Sequence, residues 1–146
     1  MAYVNLQDTL LFYTQEKARI NLRITELQNQ KSLAIYEQTD CQSLLNARKG
    51  EVRSTYAELW NEKEEYWTDE CDYTDYTEIP GYEEELEKIT ATIQEQLDEL
   101  NAWELQIDNE LTTESTRREE IIATENWIKS TMTSNISNDF NFGLGK

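Results

Sequence analysis

The chain has 146 residues, enough for one domain with one core. Thirty acids oppose thirteen bases, giving a formal net charge of −17, while 38% of residues are hydrophobic and Pro and Gly are rare. Such a charge repels nucleic acid and anionic membrane surfaces, no stretch approaches the ~18 continuous apolar residues of a membrane span, and recurrent Leu, Ile, Tyr and Trp argue against wholesale disorder.

Asn5, with Asp8 three residues on, predicts a helix N-terminus. A heptad then runs without a skip. Its a positions are Tyr3, Leu10, Lys17, Ile24, Lys31, Gln38, Leu45, Val52, Leu59 and Tyr66. Its d positions are Leu6, Tyr13, Ile20, Leu27, Ala34, Cys41, Arg48, Thr55 and Glu62. Thirteen of these nineteen are apolar, which signals one long helix over residues 5–67 with a coiled-coil seam. The polar seam residues are expected to fix register or to meet polar partners across the seam. Gly50 falls on the outer face, so the helix is expected to pass through it rather than end there as a C-cap.

Residues 68–80 read as an acidic connection, rich in Asp, Thr and Tyr and ending at Pro80. Residues 58–87 carry thirteen acids against Lys63 alone. A second helix is predicted over residues 81–133, with Pro80 in its first turn and Glu83, Glu84 and Glu85 at the positive end of its dipole. Its apolar series runs from Leu86 through Ile93, Trp103, Ile107, Ile121 and Ile128 to Met132. Between Leu111 and Ile121 the stripe lapses, which predicts a polar layer. Glu84–Lys88, Glu114–Arg118 and Glu125–Lys129 have the order that favours i, i+4 pairing. Residues 136–146 read as a flexible tail carrying Phe140, Phe142 and Leu144.

The fold expected is all-α: a long antiparallel two-helix coiled-coil hairpin over residues 1–135. Setting Tyr66 opposite Tyr82 pairs Leu59 with Ile89, Leu45 with Trp103, Leu27 with Ile121 and Ile20 with Ile128. Lys31 then falls near Glu114, and Gln38 near Glu110. The first dozen residues have no helix opposite them in that register. Leu6, Leu10 and Tyr13, with Phe140, Phe142 and Leu144, become a base to be covered within the chain, by a second copy or by a partner. Cys41 and Cys71 lie too far apart along the hairpin for a disulfide.

The sequence lacks the residues of most catalytic sites. It has no histidine, no Gly-rich phosphate loop and no Gly-x-Ser-x-Gly. Two cysteines thirty residues apart make no metal site, and Asp69, Asp72, Asp75 and Glu78 lack the alternation and central glycine of a calcium loop. No enzyme activity, cofactor or metal is expected, and no secretory signal is read in the first residues. Location in the cytoplasm is expected; leaderless export would leave no mark in the sequence.

The expected function is that of a structural or adaptor coiled coil. Solvation alone accounts for an acidic run. Interleaved aromatics point further, to an interface: Trp60, Trp67, Asp69, Glu70, Asp72, Tyr73, Asp75 and Tyr76 would meet a protein with a basic surface. Self-association is a further expectation. In length and outline the chain resembles the stalk proteins of flagellar and type III export. The resemblance covers the helices only and implies, as the alternative, a stalk component or chaperone of an export system.

Overall fold

The computed structural model describes the backbone of residues 2–144 and the side chains of residues 5–137. Two helices dominate: α1 (Ala2–Glu62) and α2 (Tyr82–Leu144), joined by a π-helical turn (Tyr66–Glu70) and a 3-10 turn (Tyr76–Glu78). They pack antiparallel as an all-α hairpin, and no strand occurs among the described residues. Among the described residues no helix is long and apolar enough to cross a membrane. Both cysteines are free.

α1 starts at Ala2 rather than at Asn5, whose carbonyl accepts a hydrogen bond from the Thr9 hydroxyl at 2.8 Å inside the helix. It runs unbroken through Gly50. α2 does not stop near residue 133 but continues to Leu144, where a tail is expected. The reason lies in cooperativity. Ser, Thr and Asn cost at most ~0.7 kcal/mol each relative to Ala, no proline intervenes, and extending a helix needs no new nucleus.

The hairpin divides into two compact units: Met1–Lys31 with Gln106–Lys146, and Ser32–Leu105. In the first, Ile20, Ile24, Leu27, Ile107, Ile121 and Ile128 are buried. Ile20, Ile24 and Ile121 form one cluster, with Tyr13 and Leu111 against it. Each fully buried side chain, such as Leu27, Ile107 or Ile128, contributes roughly 1.5–3 kcal/mol. Ion pairs flank this core: Lys17–Glu125 at 2.9 Å, Arg23–Glu110 at 3.0 Å, Lys31–Asp108 at 2.7 Å and Arg117–Glu16 at 3.5 Å. The lapse in the apolar stripe is a polar layer, where Arg117 reaches Glu16 and Arg118 donates to the Asn21 side chain at 3.3 Å. Glu125 is 3% exposed and turns inward to Lys17 rather than along the helix to Lys129; its Oε1 has no partner.

In the second unit, Ala34, Leu45, Val52, Tyr56, Ile79, Tyr82 and Ile93 are buried. Gln38 donates to Glu104 at 2.7 Å, and Cys41 lies 3.9 Å from the Gln96 side chain. Lys17, Lys31 and Gln38 therefore meet polar partners across the seam, Lys31 and Gln38 not the expected ones, whereas Arg48 and Glu62 make no ion pair or side-chain hydrogen bond and the Thr55 hydroxyl bonds back to the Glu51 carbonyl within α1. Lys31 pairs with Asp108 rather than Glu114, and Gln38 with Glu104 rather than Glu110.

The register is shifted throughout. Tyr56, not Tyr66, lies against Tyr82, with ring centroids 5.4 Å apart, and Ile20 clusters with Ile121 rather than Ile128. The connection causes this shift. It does not cross straight over from the end of α1, but returns alongside the last turns of that helix before α2 begins. Past Val52 the buried line leaves the a and d positions and moves through Tyr56 to Trp60 and Trp67, so Leu59 and Tyr66 are exposed. With the shift, Leu6, Leu10 and Tyr13 are no longer bare. Tyr13 packs on the Ile20 cluster, and Leu6 and Leu10 are half-buried. The side chains of Phe140, Phe142 and Leu144 lie outside the described residues.

Candidate functional site: the acidic tip

The tip is built by progressive loosening of a helix. Backbone hydrogen bonds run from Lys63 to Trp60, from Trp67 to Lys63, from Cys71 to Tyr66 and from Tyr73 to Trp67, so the loop closed by each bond widens along the chain. π-Helical turns of this kind are uncommon and recur at functional positions. Asp72 follows with φ 58°, a left-handed conformation that Asp tolerates better than most residues. Asp75 then caps the 3-10 turn, its carboxylate accepting from the Thr77 amide at 2.8 Å and from the Thr77 hydroxyl. Glu78 reaches back to the Thr74 amide at 2.7 Å and hydroxyl at 3.2 Å. Ile79-Pro80-Gly81-Tyr82 closes the tip as a β-turn, with Tyr82 donating to Ile79 at 3.2 Å and Gly81 at φ 97°. Proline followed by a residue of positive φ is the type II pattern. Pro80 thus lies in the turn before α2, not in its first helical turn as expected.

Aromatic packing makes the tip a small core of its own. Val52, Tyr56, Ile79 and Tyr82 are buried, with Trp60, Trp67, Tyr76, Leu86 and Ile89 against them. Trp67 stacks on Tyr73 at 6.0 Å and donates from its indole nitrogen to the Leu59 carbonyl at 3.1 Å. Tyr76 meets Tyr82 edge-on at 5.5 Å. Burial pushes the Tyr56 phenol above its ordinary value, and the charge of Glu85, its hydrogen bond with Glu85 and the charge of Glu84 add to the effect. A hydrogen bond with the Cys71 side chain, and its charge, raise the Tyr66 phenol in the same direction.

The tip residues named from sequence therefore separate into two groups. Trp60, Trp67, Tyr73 and Tyr76 are half-buried and hold the tip together, as does the Asp75 carboxylate. Asp69, Glu70 and Asp72 are exposed, and no ion pair holds them. Tyr66, read from sequence as a seam residue, is 50% exposed and is the most exposed aromatic side chain of the tip. Its position could have been anticipated from the four-residue steps Val52–Tyr56–Trp60, which turn the buried line away from it.

Asp72 lines an open groove of about 900 Å³, between the connection and the first turn of α2. Tyr73, Ile79 and Pro80 supply its apolar lining, and Asp72, Glu78, Glu83 and Glu84 its carboxylates. The N-terminal dipole of α2 favours the last two. Among the described residues the first unit holds several ion pairs and the second holds none. Residues 32–105 contain twenty acids and five bases, against ten and eight in the first unit. Nearly all of the net charge thus resides in the unit that carries the tip. Chemically the groove suits a Lys or Arg side chain. No family model, curated protein or solved structure matches the chain.

Proposed function

We propose that the protein is a non-enzymatic adaptor whose acidic tip binds a protein with a basic surface. The carrying observation is the carboxylate-walled groove lined by Asp72, Glu78, Glu83 and Glu84, with the exposed Asp69 and Glu70 just before it in the chain, on a tip held in shape by its own aromatic core. A rigid support lowers the ordering cost of binding, and unpaired acids speed encounter with a cationic partner. Tyr66 supplies an exposed anchor of the type found at interface centres. The two-helix hairpin also fits an export stalk or chaperone, for which the partner would be an ATPase or a secreted client.

The reading is tested by placing a photo-cross-linking amino acid at Tyr66 in the native source. The expected product is a discrete adduct with a basic protein, lost when Asp69→Asn, Glu70→Gln and Asp72→Asn are combined. An adduct that persists in the neutralised protein, or none at all, refutes the reading. Asp75 and Glu78 stay untouched because they hold the connection.

A further inference from the structure

In the unit of residues 32–105, twenty acids outnumber five bases, yet none of the five bases makes an ion pair. Four of them, Arg48, Lys49, Arg53 and Lys88, lie at one level of the hairpin. At ~100° per residue, Arg48 and Lys49 fall on opposite flanks of the buried line from Leu45 to Val52. Lys49 and Arg53 share one flank, and Arg48 and Lys88 the other. Lys88 does not pair with Glu84, four residues before it, which lines the tip groove instead. Arg48 and Lys88 are both exposed and line a hollow of about 270 Å³ between the helices. Leu44, Ile89 and Ile93 give it an apolar floor, and no carboxylate lines it. The Gln96 amide oxygen lies 3.9 Å from the Cys41 sulfur, which leaves its NH2 group as a third donor. An apolar recess with a few convergent polar groups is the usual build of a small-ligand site.

We propose that this hollow binds a small aliphatic carboxylate, its head between Arg48 and Lys88 and its chain on Leu44, Ile89 and Ile93. Sign, valence and size each narrow the ligand. Two cations without acids select an anion, and their N–H groups make charge-assisted hydrogen bonds to a carboxylate. The twenty acids of the unit oppose an anion in proportion to its charge. A single charge is therefore favoured over a nucleic acid or an acidic peptide. The apolar floor rewards a hydrocarbon chain, which an inorganic anion lacks. At roughly 30 Å³ for each water-sized group, about 270 Å³ holds about nine such groups, the size of a carboxylate with about seven carbons. The hollow shares no residue with the tip groove, so it stands or falls separately from the tip's function.

Titrating the full chain, labelled at its isoleucine and leucine methyl groups, with heptanoate tests the proposal by NMR. The methyl signals of Leu44, Ile89 and Ile93 are expected to shift saturably. Propionate, which lacks the chain, and heptylammonium, which reverses the charge, should leave them in place at the same concentrations. Arg48→Gln and Lys88→Gln should each weaken heptanoate binding by about tenfold, the loss of one charge-assisted contact. Both side chains are exposed, so helix content should not change. Lys49→Gln and Arg53→Gln remove equal charge from the other flank and should leave the affinity as it was. Three results overturn the proposal: no saturable shift up to millimolar heptanoate, equal binding of heptylammonium, or equal weakening by the variants of the two flanks.

Discussion

Gly81→Ala probes the turn that sets the register. Gly81 sits at φ 97°, where an L side chain costs roughly 1–2 kcal/mol. An added Cβ would also stand 2.9 Å from the Tyr56 hydroxyl oxygen. That oxygen ends a ring that is 8% exposed and packed edge-on against Tyr82, so the ring can yield only by disturbing the tip core. Overpacking of this kind costs ~1–3 kcal/mol. The substitution is therefore expected to cost about 2–5 kcal/mol in total, read by urea unfolding followed by far-UV circular dichroism. Tyr56→Phe removes the oxygen while keeping the ring. In that background Gly81→Ala should retain only the backbone part, leaving a coupling of about 1–3 kcal/mol in the double-mutant cycle. A cost below ~0.5 kcal/mol, or equal costs in both backgrounds, would refute the reasoning.

Three further outcomes are expected. Gly50→Ala should raise stability by ~0.5–1 kcal/mol in the same unfolding assay, because the helix is regular there and nothing lies within 4 Å of the added methyl. Lys17→Met should cost ~3 kcal/mol or somewhat less, since it leaves the buried Glu125 carboxylate unpaired while Lys17 itself is one-third exposed; adding Glu125→Leu should recover most or all of that loss. Above pH 10 the stability should fall, because the raised Tyr56 phenol keeps its proton in the fold and loses it more readily in the unfolded chain; Tyr56→Phe should flatten that alkaline fall in a pH series of unfolding curves.

The helices were legible in the sequence because a heptad held over sixty residues leaves few alternatives, and Ile20, Ile24, Leu27, Ala34, Leu45 and Val52 are buried as that pattern requires. Register was not legible. The heptad runs on to Tyr66, whereas the buried line departs through Tyr56 and Trp60, and a departure of two four-residue steps is too short to stand out from a periodic pattern. The path of the connection was equally hidden, since it depends on Trp67 stacking on Tyr73 and on Asp75 and Glu78 closing local turns, and these contacts follow from no repeating pattern. At the tip, composition located the acids but could not tell Asp75, which holds a turn, from Asp69, Glu70 and Asp72, which face solvent. The end of α2 is hidden in the sequence because Ser, Thr and Asn suggest a stop, while cooperativity carries an established helix through them.

The proposed role of the tip is tested most directly by the association rate with the protein cross-linked at Tyr66, measured at low and at physiological salt. The intact tip is expected to associate faster at low salt, and the Asp69→Asn, Glu70→Gln, Asp72→Asn protein to associate more slowly with a flatter salt dependence. Asn at position 72 still tolerates the left-handed backbone, so the fold should persist. Equal rates and equal salt slopes for the two proteins would contradict the account and leave the acids as a solvated helix end.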